Sequence, residues 1–487
     1  MTPSSVAPPP VAAPTKIPYD PARAARGFAI LLAVYLAVTY LIPWPSTIKA
    51  NGPRLAGLFL ATIAGSIIEP IPAAALVLIA VTLAAVFQIL PIEQALGGYS
   101  DRTVWIVMTA FFLSRGLINT GLAKRIALTF VSWFGKTSLG LCYSLGLSDF
   151  VLAAMIPANG ARAGGVILPI GRSIAEIYGS FPGPTANRLG SFLYTTVYQS
   201  VCVSTAMFYT GQASNPLAAR FAADVGYKVT WLSWISAAIV PGALSLLVIP
   251  WVVMKLNPPE LKETPEAAAF AKDELRKMGR FSTREKIVSA IFALVCGLWV
   301  SSSWTKIDIT VTALLGGALL LLTGILSWED IKSERAAWDV FIWFGGLFKL
   351  GQSLNDSGVT RAFADAVANG FSGLSWAGLF AVALLIYFYA HYGFASITAH
   401  MISMFPPFLA VLLAKGAPPG LVVYGFACFA NLAAGLTHFG TTPGPIFYAD
   451  RYVTLKVWWK VGAVVSVVNL TIWCTVGFAW WKLIGIW

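Results

Sequence analysis

The chain has 487 residues, 57% of them hydrophobic and only 11% charged, against roughly 45–50% apolar and about 25% charged in a soluble domain. The net charge of +12 comes from basic residues spread through short loops and tails, without a patch of interleaved aromatics, which excludes nucleic acid as a partner. These numbers leave an all-α polytopic membrane protein whose partner is the lipid bilayer, with about eleven spans of roughly 20 residues each.

Taken in chain order, residues 1–26 are rich in proline and alanine and carry Lys16, Arg23 and Arg26. They read as a disordered tail. No small-residue cleavage site follows the apolar run "GFAILLAVYLAVTYLI", so 27–45 reads as a retained leading helix and not as a removed signal peptide. A first block of spans covers 52–254 and a second covers 287–487. Between them lies the one long polar segment, 255–286, where Thr264-Pro265-Glu266 predicts the start of an interfacial helix. Basic residues favour the cytoplasmic side, so the tail and this linker are expected there, with an odd span count leaving Trp487 outside. Cys142, Cys202, Cys296, Cys428 and Cys474 are scattered without metal-like spacing. No metal site or cofactor is expected.

The two blocks repeat one another. "WIVMTAFFLSRGLINTGLAKR" (105–125) matches "WDVFIWFGGLFKLGQSLNDSGVTR" (338–361) through a Trp-x-Val opening and through Leu-x-Asn-Thr-Gly against Leu-x-Asp-Ser-Gly, about 237 residues apart. At nearly the same spacing "ANGAR" (158–162) falls on "SITAH" (396–400), which pairs Ala158 with Ser396, Gly160 with Thr398 and Arg162 with His400. "TGQASNPL" (210–217) then falls on "FGTTPGPI" (439–446), pairing Gly211 with Gly440 and Pro216 with Pro445. Five spans per repeat make the copies enter the membrane from opposite sides, and inverted repeats with interrupted helices are the architecture of secondary transporters. Glycine and proline supply the interruptions, and irregular backbone survives at membrane depth only where it is buried or lines a cavity. An ionisable residue inside a membrane marks a substrate or ion path by default. Arg162 and His400 are therefore expected to face one shared, anion-attracting cavity from opposite sides.

At these residues the chain resembles the divalent anion:sodium symporter family over about residues 30 to 487. "ANGAR" and "SITAH" stand where that family carries its two Ser-Asn-Thr tip motifs. "GTTPGP" (440–445) and, more loosely, "GQASNP" (211–216) stand where it breaks a helix at Thr-Pro. "GLTHFGTTPGPIFYADRYV" resembles the exchanger branch, citrate/succinate antiporters and 2-oxoglutarate/malate translocators. The resemblance implies eleven transmembrane helices, two re-entrant hairpins, a homodimer, and an elevator movement of a transport domain against a scaffold. It implies dicarboxylate or tricarboxylate substrates held by Asn159, Gly160, Ser396, Thr398, Thr442 and Pro443, to which the repeat adds Arg162 and His400 and the hydroxyls of the two breaks add Ser214 and Thr441. This chain departs from the motif at Ala158, Gly160 and Ile397, losing oxygen ligands that a hard cation needs. Arg162 and His400 are suited to replace that cation, which points to sodium-independent exchange, with sodium-coupled symport as the alternative.

Blander roles exist for each residue. Arg162 could snorkel to a headgroup or pair with a carboxylate. The hydroxyls of Ser214, Thr398, Thr441 and Thr442 could satisfy nearby backbone. His391 and His438 have no repeat partner and read as structural. An enzyme is disfavoured: there is no His-Glu-x-x-His, phosphate-cradling loop or G-x-S-x-G elbow. A passive anion channel has no need of paired breaks.

Overall fold

The computed structural model describes residues 21–370 and 373–487. Most of the predicted tail lies outside the described residues, but Pro21–Leu41 is one continuous helix, so the leading helix begins six residues before 27 and ends four before 45. Among the described residues eight helices are long and apolar enough to cross a membrane, and four shorter apolar helices accompany them. Many of their outward residues are large and apolar, among them Leu32, Leu78, Val86, Leu247 and Val311, a surface that suits acyl chains better than water.

The second block repeats the first element by element. Helices Gly52–Ile68 and Ala73–Val86 correspond to Thr283–Thr305 and Ile309–Leu322; Arg102–Thr120 corresponds to Arg335–Asp356. After these last two helices the chain turns at Gly121 and Gly358, both with positive φ, a conformation that costs glycine nothing and other residues about 1 kcal/mol or more. That requirement explains why the Leu-x-(Asn/Asp)-(Thr/Ser)-Gly motif occurs twice.

Each block next folds into a hairpin. In the first, the arm Ser138–Ala153 turns through 154–159 and returns as a widened π-helical stretch, Gly160–Ile167, that passes into Leu168–Ile177. Pro169 sits in the first turn of the regular helix that follows, where its missing N–H is tolerated. In the second, Trp376–Ala390 turns through His391–Gly393 and returns as Ile397–Ala414. A broken helix follows each hairpin: Gly190–Met207 with Ser214–Asp224, and Pro419–Ala433 with Pro443–Ala449. Both long halves are buried along their length, apart from Pro419 at the start of the second, which sets them at the centre of the protein.

Between the blocks, a helix spans Pro265–Met278 and packs on Leu122–Phe134, with Lys124 Nζ 3.0 Å from Glu274. The next span opens on a capping box, Ser282 with Glu285, which satisfies two of the amides left over at a helix start.

Candidate functional site

The two hairpin tips and the two helix breaks meet. Asn159 Nδ2, at the first tip, donates to Thr441 Oγ1 in the second break at 2.8 Å and to Gln212 Oε1 in the first break at 3.0 Å. Gly160 packs so closely on Thr442 that an added Cβ would lie 2.6 Å from its Cγ2. The position that resembles a signature threonine therefore holds glycine because a side chain there would collide with the opposite repeat.

Interrupted helices leave backbone groups without partners, and a buried one must find a substitute. Here the long halves supply them across the repeats. Tyr198 donates to the Ala434 and Thr437 carbonyls, and Gln199 donates to the Gly435 carbonyl. Asn215 Nδ2 bridges the Thr205 and Phe208 carbonyls, while its oxygen accepts from Asn431. The second break is thus fixed from the first repeat, while the first break is closed by its own Asn215, which Asn431 of the second repeat holds in place.

A cavity of about 400 Å³ opens where these segments face Arg102–Thr120 and Arg335–Asp356. Of the ten residues expected at the site, Asn159, Gly160, Ser396, Thr398 and Thr442 line it. Three helices of eight or more residues start toward it: Gly160–Ile167, whose first residue lines the wall, and Ser214–Asp224 and Ile397–Ala414, whose N-cap residues Ala213 and Ser396 do. Their free amides bring partial positive charge to this space. Thr441 stands one layer behind, bonded to Asn159. Ser396 also caps its own helix by accepting from the Ala399 amide. Ser214 and Pro443 are buried off the wall, and the Ser214 hydroxyl has no hydrogen-bond partner among the described residues.

Arg162 and His400 correct the expectation of two cations facing a shared cavity. Both are fully buried and neither lines it. Arg162 turns into its own hairpin instead: Nε donates to Asp149 Oδ1 at 2.6 Å, Nη1 to the Ile156 and Gly211 carbonyls at 2.7 and 3.1 Å, and Nη2 to Thr205 Oγ1 at 2.9 Å. The second Asp149 oxygen accepts from Ser204. The guanidinium fills an all-oxygen shell, and its charge is matched by a carboxylate. A buried charge survives only with such pairing, which is the physical reason for the inward turn. Asp149 escaped the sequence reading. The signal was present, since one aspartate and one arginine flank a single tip on opposite arms and a hairpin must bring them together.

In the second repeat His400 Nδ1 lies 3.1 Å from His391 Nδ1, and His391 Nε2 lies 2.8 Å from the Gly440 carbonyl. His391, read as structural and unpartnered in sequence, is therefore the link between tip and break. The repeat symmetry is kept at the level of contacts: Arg162 reaches the carbonyl of Gly211, and the histidine pair reaches the carbonyl of its counterpart, Gly440. Gln212, also missed, lines the cavity beside Asn159.

Across the cavity stands Arg115, bonded to Glu334 at 3.1 Å and 3.8 Å from Asp330; Glu69 and Asp339 also border the space. Ser327 caps Asp330 and holds its carboxyl below the ordinary range.

Paired hairpins, paired helix breaks and a cavity that brings a few polar side chains together among apolar spans define a membrane transporter of the inverted-repeat kind, not an enzyme. A family model described as the sodium:sulfate symporter transmembrane region matches residues 24–487, and the chain belongs to that family, the one its tip and break motifs resemble. It is 44% identical over 460 residues to the putative malate transporter YflS of Bacillus subtilis, covering 94% of this chain and 96% of that one. It is 40% identical over 488 residues to the chloroplastic dicarboxylate transporter 1 of Arabidopsis thaliana, covering 99% and 87%. The crystal structure of the Alcanivorax borkumensis YdaH transporter matches with a TM-score of 0.51 at 12% identity, over 95% of this chain and 98% of that one, a likeness of fold alone.

Proposed function

We propose that the protein moves dicarboxylate anions across a membrane by sodium-independent exchange, with tricarboxylates as further substrates. The observation that carries this reading is Arg162. Its guanidinium is held by two carbonyls, a hydroxyl and a carboxylate from the hairpin and the first helix break, the oxygen set that a hard cation such as sodium would otherwise need. A cation bonded to the chain cannot leave, so it provides no coupling to a sodium gradient. Relatives named as malate and dicarboxylate transporters support the substrate class.

The anion is held, in this reading, by Asn159, Gln212, Ser396, Thr398 and Thr442 together with the three helix starts. Neutral donors and dipole ends suit a carboxylate because their charge is already oriented. The cavity volume lies within the range of small-molecule sites. Since Asp149 neutralises Arg162, the preference for loaded over empty return rests on these helix ends: an anion satisfies their amides, and an empty site carries them unsatisfied through the low-dielectric barrier. That favours obligatory exchange, by an elevator movement in a homodimer. The alternative is sodium-coupled symport.

The test is a counterflow panel in liposomes loaded with one carboxylate. Malate, succinate, fumarate, 2-oxoglutarate and citrate are offered outside in turn, and empty vesicles serve as the comparison. Uptake dependent on internal carboxylate supports the proposal; equal uptake into empty vesicles contradicts exchange.

A further inference from the structure

A second hollow lies apart from the transport cavity, on the membrane-facing side of the first hairpin. It is a slot of about 370 Å³ between the hairpin arm Ser138–Ala153 and the long span Trp231–Leu256. The small residues Gly146, Ser200 and Ala243 give it room, and Pro250, inside the span, has no N–H to close its own turn. Tyr143 donates its hydroxyl to the Leu247 carbonyl at 2.7 Å, which ties the two walls together. Leu147 and Leu247 also line the slot and are exposed. An open apolar slot at membrane depth is filled by the apolar matter around it, which in a bilayer is acyl chain.

The slot leads to an interface. Leu247, Trp251 and Lys255 form one exposed row at four-residue spacing along the span. On the opposite wall Phe134 lines the slot, Trp133 beside it is exposed, and the exposed Lys136 follows two residues later. Tryptophans in such positions mark the headgroup level. Lys255 Nζ stands 5.4 Å from the centre of the Trp251 ring, and neither Lys136 nor Lys255 has an ion-pair partner among the described residues. Lys262 and Glu263, on the linker segment that pairs with Thr137, offset one another, so the mouth keeps two positive charges.

We infer that this slot holds one acyl chain of an anionic phospholipid, with the lipid phosphate against Lys136 and Lys255. The apolar walls accept any chain of suitable length, and the lysines select the headgroup. The bound chain supplies the packing that Gly146 and Ala243 leave out and braces the hairpin arm against the span.

The experiment is native mass spectrometry of the detergent-solubilised full chain, titrated with phosphatidylglycerol or with phosphatidylcholine of identical chains. The expected result is one tightly retained phosphatidylglycerol, favoured about fivefold for each lysine and so about 30-fold in all. Lys136→Gln with Lys255→Gln should abolish the preference while leaving phosphatidylcholine binding unchanged, and Arg361→Gln, at an exposed position on Val359–Gly370, should keep it. Ala243→Leu fills the slot and should remove the tight site for both lipids. Equal affinity of the wild type for the two lipids overturns the inference. So does a preference that survives the double lysine change, or tight binding unaltered in Ala243→Leu. A change of oligomeric state in Ala243→Leu would make the slot a contact between copies of the chain and overturn it as well.

Discussion

The two hairpins begin from one plan and handle charge differently. In the first, a permanent cation is locked to a permanent anion within the same hairpin, and the pair spends its remaining donors on the helix break. In the second, two rings that can be neutral occupy the corresponding place and reach the corresponding carbonyl, with no carboxylate beside them. Fixed, internally balanced charge makes the first tip a structural cross-link. Without a carboxylate, the histidine pair links the second tip to its break by ring nitrogens alone. A duplicated fold thus supplies equivalent positions, and the residue chemistry at each decides how the tip is tied to its helix break.

The sharpest way to break this comparison is to remove the fixed charge. Arg162→Ala leaves Asp149 buried and unpaired, at a cost of about 3–5 kcal/mol, and transport should be lost together with stability. Melting temperature in detergent reports the first and vesicle exchange the second. Arg162→Lys keeps the charge but not the planar fork that serves four acceptors, so it should recover part of both. Because Arg162→Ala vacates an oxygen shell that contains a carboxylate, sodium should raise its melting temperature by a few degrees, about 2–4 °C, and leave the wild type unchanged. No sodium effect on the variant would mean that the guanidinium does not stand in a cation's place.

A smaller effect is expected where the repeats touch. Gly160→Ala puts a Cβ 2.6 Å from Thr442 Cγ2, an overpacking worth about 1–3 kcal/mol. Thr442→Ser removes that methyl, so the double variant should be more stable than the sum of the single changes by about 1 kcal/mol. Additive effects would separate the first tip from the second break.

Smallest of all is the contact outside the membrane. Lys124 and Lys277 hold the Glu274 carboxyl below its ordinary range. A depressed carboxylate contributes stability that is present above its unfolded value and lost as pH falls through the folded one. Lys124→Ala should therefore lower the melting temperature slightly near about pH 7, and the difference from wild type should vanish near about pH 3. Lys124 is half-exposed, so a loss well below 1 kcal/mol is expected.

Much of this was legible in the sequence because it depends on backbone. Gly121 and Gly358 recur since a left-handed turn needs them, and Gly211, Gly440, Pro216 and Pro445 mark breaks since they interrupt helical bonding. The equivalence of Arg162 and His400 followed from the same spacing. Side-chain direction did not follow: whether Arg162 faces a cavity or its own hairpin depends on Asp149, thirteen positions earlier, and on Thr205, in another helix. The contacts of His391 were hidden for a similar reason. Its partner carbonyl lies 49 positions away, and carbonyls leave no mark in a sequence. Gln212 and Asn215 were passed over because an amide in a Gly- and Pro-bearing break reads as loop chemistry until its partners are known.

The central claim is that the chain carries its own cation in place of sodium, and one measurement addresses it most directly. Purified protein in vesicles loaded with malate is offered labelled malate, with sodium present and with sodium fully replaced by choline on both sides. Equal initial rates of exchange in the two media are the predicted result. Uptake that requires sodium, and that an inward sodium gradient drives into empty vesicles, would contradict the account.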